Sequence, residues 1–207
     1  MSLLLLDVGN TRYKWALWDG QLQFGAAIVH ADQPVAAFCA SHWPKLQQVW
    51  ISCVPRLRDE AQWNAAVLQV CGLTPHIVVA SADWKGLRNL YAEPRKLGVD
   101  RWLGMVAVWA TRAAPFCIVS AGTALTFDRV TGDGLHGGGL IAAGFGSMQR
   151  ALLRVTVTDA RHEPEYHESL GENSEAAIRQ GAYFAAMGVI ERPLRAPGAH
   201  ATEQRVI

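Results

Sequence analysis

Leu3-Leu-Leu-Leu-Asp-Val-Gly-Asn-Thr-Arg-Tyr-Lys-Trp-Ala-Leu-Trp-Asp-Gly20 carries the fold in miniature. Leu3 to Val8 is an apolar run that reads as a buried strand. Gly9-Asn10-Thr11 is a turn, and Tyr13 to Trp18 reads as a second strand in which Lys14 is the only charge. Asp19-Gly20 is a strong hairpin signal, because both residues accept the positive φ that a tight antiparallel turn demands. Leu22 to Val29 then pairs as a third strand. The N-terminus is therefore an antiparallel meander rather than a strand–helix–strand unit.

The meander recurs. Phe116-Cys-Ile-Val119 is a buried strand, Ser120-Ala-Gly-Thr123 a turn, Ala124 to Val130 a strand, Gly132-Asp-Gly134 a hairpin turn, and Leu135 to Ile141 a glycine-rich third strand. Gly9 lies eleven residues before Gly20, and Gly122 twelve before Gly134. Such an internal repeat predicts an α/β protein of two homologous halves, residues 1–114 and 115–207, joined near Ala113 to Pro115. Between the meanders the pattern alternates. Helices are expected over Val35 to Leu46, Asp59 to Cys71 (stopped by Gly72) and Asp100 to Arg112, the last with Leu103, Val106 and Ala110 on one face. Strands are expected over Val49 to Val54 and His76 to Val79. After the second meander come a helix from Phe145 to Arg154, a charged loop from Asp159 to Glu172, a long helix from Ser174 to about Leu194, and a tail, Ala196 to Ile207, read as loop.

Composition narrows the function classes. Half of the 207 residues are hydrophobic and 18% are charged, which predicts an ample core and excludes intrinsic disorder. The formal net charge of +1 argues against a dedicated nucleic-acid binder or a membrane-surface protein. Cys39, Cys53, Cys71 and Cys117 are widely spaced in apolar surroundings, without CxxC or CxH, and read as buried reduced thiols. No signal peptide or membrane span is legible, so a soluble cytoplasmic protein is expected. The Trp residues are scattered without interleaved basic residues, and the His residues show no ligand spacing; both read as structural.

Two segments carry chemistry. In Asp7-Val-Gly-Asn-Thr11 a buried strand ends on a carboxylate, followed by small residues whose backbone amides can approach phosphate oxygens. Asp7 could hold the Mg2+ ion that neutralises them. An ordinary Asx-turn has the same sequence signature. The second copy of the meander favours the phosphate reading, since a nucleotide clamped between two halves needs a loop from each, with Thr123 on the second. Gly98-Val-Asp-Arg101 opens a helix, where Asp100 is either a capping carboxylate or a general base that takes a proton from a substrate hydroxyl during phosphoryl transfer. Arg101 could then bind an anionic group of the substrate.

Asp7-Val-Gly-Asn-Thr11, Gly98-Val-Asp-Arg101, Ser120-Ala-Gly-Thr-Ala124 and Gly138-Gly-Leu-Ile141 occur in the order and spacing of type III pantothenate kinases, the Bvg accessory factor family. The chain resembles that family from Met1 to about Glu191. The resemblance implies the superfamily of acetate and sugar kinases, actin and heat-shock ATPases, built from two ribonuclease-H-like halves, each a mixed sheet flanked by helices. It implies ATP- and Mg2+-dependent phosphorylation of pantothenate to 4'-phosphopantothenate, the first step of coenzyme A biosynthesis, by a homodimer. Residue by residue, it implies ATP binding by Asp7, Val8, Gly9, Asn10, Thr11, Arg12, Tyr13, Lys14 and Thr123. It assigns pantothenate binding to Tyr91, Gly98, Val99, Asp100, Arg101 and Ser174, with Asp100 as proton acceptor.

The sequence also departs from the family pattern. Where the family has an Asp that binds a monovalent cation, K+ or NH4+, this chain has Ser120. A family Pro-Gly appears as Ala143-Gly144, and Arg192 to Ile207 does not resemble the family's ending, which predicts a shortened or altered C-terminus. The alternative function is therefore a catalytically impaired member acting as a regulatory or ligand-binding protein. A third reading is a kinase of the same superfamily with another hydroxylated substrate.

Overall fold

The computed structural model describes residues 2–9, 11–29, 46–53, 57–111, 115–155, 169–195 and 205–206. Asn10, most of the expected helix Val35 to Leu46, the junction Ala113-Ala114, most of the charged loop and the tail up to residue 204 lie outside them. The chain forms two compact units, Met1–Ala82 with Tyr91–Leu103, and Asp83–Leu90 with Gly104–Ile207.

In the first unit, β1 (Leu3–Val8) pairs antiparallel with β2 (Arg12–Trp18), in register from Leu3 opposite Trp18 to Val8 opposite Tyr13. The expected third strand is divided into β3 (Leu22–Phe24) and β4 (Ile28–Val29), which pair with opposite ends of β2. The interruption centres on Gly25, whose N–H donates to the Trp15 carbonyl and whose backbone lies so close to the Trp15 ring that a Cβ could not be accommodated. On its other edge β1 pairs parallel with β5 (Gln48–Cys53), and β5 with β6 (His76–Val78). The sheet order is thus β3-β2-β1-β5-β6.

Strand alternation sends Leu4, Leu6 and Val8 of β1, Tyr13 of β2, and Val49, Ile51 and Cys53 of β5 into one core. Helix α1 (Leu57–Cys71) covers it with Trp63, Ala66 and Val67, and the Trp63 ring meets Tyr13 edge to face at 5.1 Å. The helix stops at Gly72, at φ +65°, as the sequence predicts.

The second unit repeats the plan. β9 (Phe116–Ala121), β10 (Ala124–Val130) and β11 (His136–Ala143) form the second meander. Both Asp-Gly hairpins are as read, with Gly20 and Gly134 at φ +113° and +81°. The tail is not all loop: β12 (Arg205–Val206) pairs parallel with Phe116 and Cys117, giving the order β11-β10-β9-β12. Two residues are too few to show a period, and the pairing satisfies backbone groups on the open edge of β9. Helices α3 (Phe145–Leu153) and α4 (Ser174–Leu194) pack on each other and on β10.

A hairpin that the sequence did not announce, β7 (Asp83–Trp84) and β8 (Leu87–Arg88), also belongs to this unit. It is tied to the 131–135 turn by an Arg88–Asp133 ion pair and by the Arg88 N–H donating to the Gly134 carbonyl at 2.8 Å. The Trp109 Nε1–H donates to the Lys85 carbonyl at 2.9 Å.

Helix α2 (Val99–Thr111) begins in the first unit and continues in the second. Its buried residues are Val99, Arg101, Trp102, Met105 and Val108, whereas Leu103 and Val106 are half-buried and Ala110 is exposed, which corrects the expected face. The helix is apolar nearly all round, so spacing alone cannot choose its inward side. Of the cysteines, Cys53 and Cys117 are buried thiols outside any disulfide, Cys71 is a half-buried one, and Cys39 lies outside the described residues. No helix among the described residues is long and apolar enough to cross a membrane.

β10 and β11 are pinned by a fully buried pair, His136 Nε2 and Asp128 Oδ1 at 2.9 Å, beside the register shift between Asp128 and Val130. Removing one partner leaves the other buried without this bond. His136→Ala should cost about 3–5 kcal/mol of folding stability, read from urea unfolding of parent and variant. A change below about 1 kcal/mol would show that the pair does not hold the bulged ladder.

Candidate functional site

The first unit places its polar residues at the carboxyl end of the parallel strands, where ligands bind in open α/β sheets. Asp7 of β1 stands opposite Lys14 of β2 and opposite Ser52 of β5, so the three residues form one row across the sheet. Residues facing one another across a ladder share a face, and this row lies on the face opposite the Leu4–Leu6–Val8 core. The Ser52 hydroxyl donates to Asp7 Oδ1 at 3.3 Å, and Ser52 is itself buried.

Burial pushes the Asp7 carboxyl above the usual carboxylate range. Lys14 pulls it back, the negative charge of Asp100 raises it further, and the Ser52 hydrogen bond lowers it. Two carboxylates thus feel each other in one unit, with one cation and one hydroxyl on the first of them.

The turn after β1 is tight. The Gly9 N–H donates to the Arg12 carbonyl at 3.0 Å, and a Cβ on Gly9 would lie 3.1 Å from that oxygen. Thr11, Arg12 and Lys14 are exposed, whereas the Val8 and Tyr13 side chains are core residues, so those two could meet a ligand only through backbone.

Asp100 is exposed in the first turn of α2, where the helix dipole favours a carboxylate. Gly98 makes room for it: a Cβ there would fall 2.7 Å from Asp100 Oδ1. Buried Leu97 and Val99 anchor the segment on either side. Arg101 is 6% exposed and donates from Nη1 to the Tyr91 hydroxyl at 3.3 Å, so two of the expected substrate residues are already joined.

In the second unit Thr123 sits in the β9–β10 turn, where the Gly122 N–H donates to the Ala124 carbonyl, two residues on, at 2.9 Å. The Thr123 carbonyl accepts from the Gly144 N–H at 2.9 Å and from the Ser147 hydroxyl at 2.8 Å. Gly144 is the N-cap of α3, and a Cβ on it would lie 2.0 Å from the Gly122 carbonyl oxygen. Ser120 is exposed on β9 opposite Thr126. Ser174 is the exposed first residue of α4, whose N-cap is Asn173, the side chain accepting from Ala176 N–H at 2.9 Å.

Sequence reading missed Ser52 and Ser147. A lone hydroxyl in the apolar run Val49 to Val54 was the only available signal for the first, and none marked the second.

Mixed sheets flanked by helices, each opening on a meander, are consistent with the actin and sugar-kinase class of fold. The chain belongs to the type III pantothenate kinase family, whose profile matches residues 3–196. It is 33% identical to the type III pantothenate kinase of Nitrosococcus oceani over 92% of this chain and 75% of that protein. Against the type III pantothenate kinase of Aromatoleum aromaticum the identity is 35%, over 93% of this chain and 79% of the relative. Among solved structures, a protein described as a Baf family transcriptional activator from Campylobacter jejuni shares the fold, with a TM-score of 0.55 at 16% identity over 91% of this chain and 78% of that one.

The raised Asp7 carboxyl has a consequence for stability. The folded chain binds this proton more tightly than the unfolded chain, whose carboxyl titrates at about 3.9. The stability Asp7 contributes is therefore fully present below that pH and is lost as pH rises through the folded value. Asp7→Asn, which keeps an acceptor for Ser52, should melt at a higher temperature than the parent at pH 7, with the gap closing as pH falls towards 4. Melting curves across that range test this, and a variant less stable than the parent at pH 7 refutes it.

Proposed function

We propose that the chain transfers the γ-phosphoryl group of ATP to the primary hydroxyl of pantothenate, the first step of coenzyme A biosynthesis. The family match over residues 3–196 carries this reading. The repeated sheet order supports it, because two ribonuclease-H-like halves, 1–114 and 115–207, would each begin with a meander and set a parallel strand beside its first strand.

Asp100 accepts the hydroxyl proton as the new O–P bond forms and the bond to the departing ADP oxygen breaks. Tyr91, Gly98, Val99, Arg101 and Ser174 bind pantothenate, with Arg101 facing its carboxylate. Asp7 to Lys14, Asn10 included, and Thr123 bind the nucleotide phosphates through backbone amides and the Lys14 ammonium.

The residues present suit Mg2+: Asp7 offers a hard oxygen whose charge is disfavoured by burial and would be restored beside a cation. Bound there, Mg2+ would neutralise phosphate oxygens. Among the described residues no cluster of three or more His, Cys, Asp or Glu could hold a metal, so Asp7 would share the ion with phosphate and water. Ser120 does not suit K+ or NH4+ in the same way, since it supplies a dipole where the resemblance expects a charge.

Along α4 only Gln180 and Ala182 are buried, and Phe184 is 49% exposed, which supports a second copy of the chain as partner. ADP release measured with and without pantothenate tests the activity. Pantothenate-dependent turnover supports the enzyme, whereas tight binding of both ligands without turnover marks the regulatory alternative and overturns the proposal.

Asp100→Asn keeps the shape but loses the base, and turnover should fall about 10²–10⁴-fold while pantothenate binding by calorimetry survives. Turnover within a few-fold of the parent removes Asp100 from the reaction. Because Ser120 is neutral, the initial rate should change little when K+ replaces Na+ at constant ionic strength. Strong saturable activation by K+ would mean that other oxygens build the cation site.

A further inference from the structure

We infer that Ser52 is a positioning residue for the nucleotide site: its hydroxyl fixes Asp7 Oδ1 and thereby sets which carboxylate oxygen is presented to the phosphates and their cation.

The two residues are forty-five apart in sequence, yet the parallel β1–β5 ladder makes them register partners. Both stand one rung before the strands end, so the ladder on either side of them fixes their backbones side by side. Ser52 is 6% exposed while Asp7 is only half-buried. The donor is thus the more deeply buried member of the pair. Lys14 occupies the other flank of Asp7 in the same row. The Lys14 charge acts on the carboxylate from that side without an ion pair, so the Ser52 hydroxyl is the hydrogen-bond donor that orients it. A buried serine in the otherwise apolar segment Val49 to Cys53 is a cost unless its hydroxyl finds a partner, and Asp7 supplies one.

The inference rests on the assignment of Asp7 to the nucleotide site, and the experiment separates the two. ADP binding to the full chain is measured by calorimetry with Mg2+ and with EDTA, for the parent, Ser52→Ala, Ser52→Thr, Asp7→Asn and the double variant Ser52→Ala/Asp7→Asn. A hydrogen bond to a charged group typically carries about tenfold or somewhat more in an equilibrium constant. Ser52→Ala should therefore weaken Mg2+-dependent ADP affinity roughly tenfold, with binding in EDTA and the KM for pantothenate little changed. Ser52→Thr, which keeps the hydroxyl, should recover most of the loss.

The decisive arm is the double variant: Asn still accepts from Ser52 but has no charge to present to the cation, so if Ser52 acts by orienting the Asp7 carboxylate, Ser52→Ala adds almost nothing to the loss of Mg2+-dependent affinity once Asp7 is Asn. Full additivity, or a Ser52→Ala variant that binds as the parent does, overturns the inference. If Asp7→Asn itself leaves Mg2+-dependent affinity unchanged, the assignment of Asp7 fails first, and that result is distinguishable because it does not depend on Ser52. Should Ser52→Ala fold poorly, Ser52→Cys, whose thiol is a weak donor of similar size, should fall between Ser and Ala in the same titration.

Discussion

One constraint organises the first unit: a carboxylate must be held at the end of a strand whose other face is sealed in the core. The parallel pairing of β1 with β5 and the antiparallel pairing with β2 meet this together. Each strand sends alternate residues into the core that Trp63 covers, so the register cannot slip by one residue without turning Leu4, Leu6 and Val8 outward. The same register fixes Lys14 and Ser52 beside Asp7. Core packing and site geometry are therefore two readings of a single alignment, and the apolar residues of β1 set where the charge stands.

The cost of that arrangement is carried by Asp7, whose charged form is disfavoured by its own burial and by Asp100. Such a placement makes little sense for stability alone, because an exposed carboxylate would serve a turn equally well. It makes sense if a cation or phosphate-bound ion completes the site. Helix α2 answers the same need at its own end, where Gly98 is stripped of a side chain so that Asp100 can fold back over it. The second unit reuses the strand–turn–strand plan with different chemistry, and in its first turn the Thr123 carbonyl accepts two hydrogen bonds, from Gly144 N–H and the Ser147 hydroxyl.

Where local chemistry sets the structure, it could be read from the sequence. Asp19-Gly20 and Asp133-Gly134 require left-handed glycine and have it. The strands Ala124 to Val130 and Leu3 to Val8 are long enough for their apolar pattern to be unambiguous. What escaped was settled by distant partners. The β7–β8 hairpin and β12 are two-residue strands that exist because other strands or turns accept them. The inward face of α2 was misread because Leu103, Val106 and Ala110 satisfy helical spacing as well as Trp102, Met105 and Val108 do. Ser52 was invisible because its importance lies in a residue forty-five positions away. Of the candidate site, the residues that carry charge or sit in glycine turns were legible, while the hydroxyls that orient them were not.

The excursion of residues 83–90 into the second unit bears on how the chain is made. The first unit needs Tyr91–Leu103 to be whole, but that segment reaches it only after the chain has left for the hairpin anchored by Arg88, Asp133 and Trp109. The hairpin's own anchor, Asp133, is synthesised about fifty residues later than Asp83. On the ribosome the leading meander can form early, yet the hairpin that precedes the segment bearing Asp100 gains its anchor at Asp133 only when the trailing meander has emerged. The two units are therefore interlaced in time as well as in sequence. A fragment cut between them at any single peptide bond would strand either the hairpin or the helix that carries the proposed base.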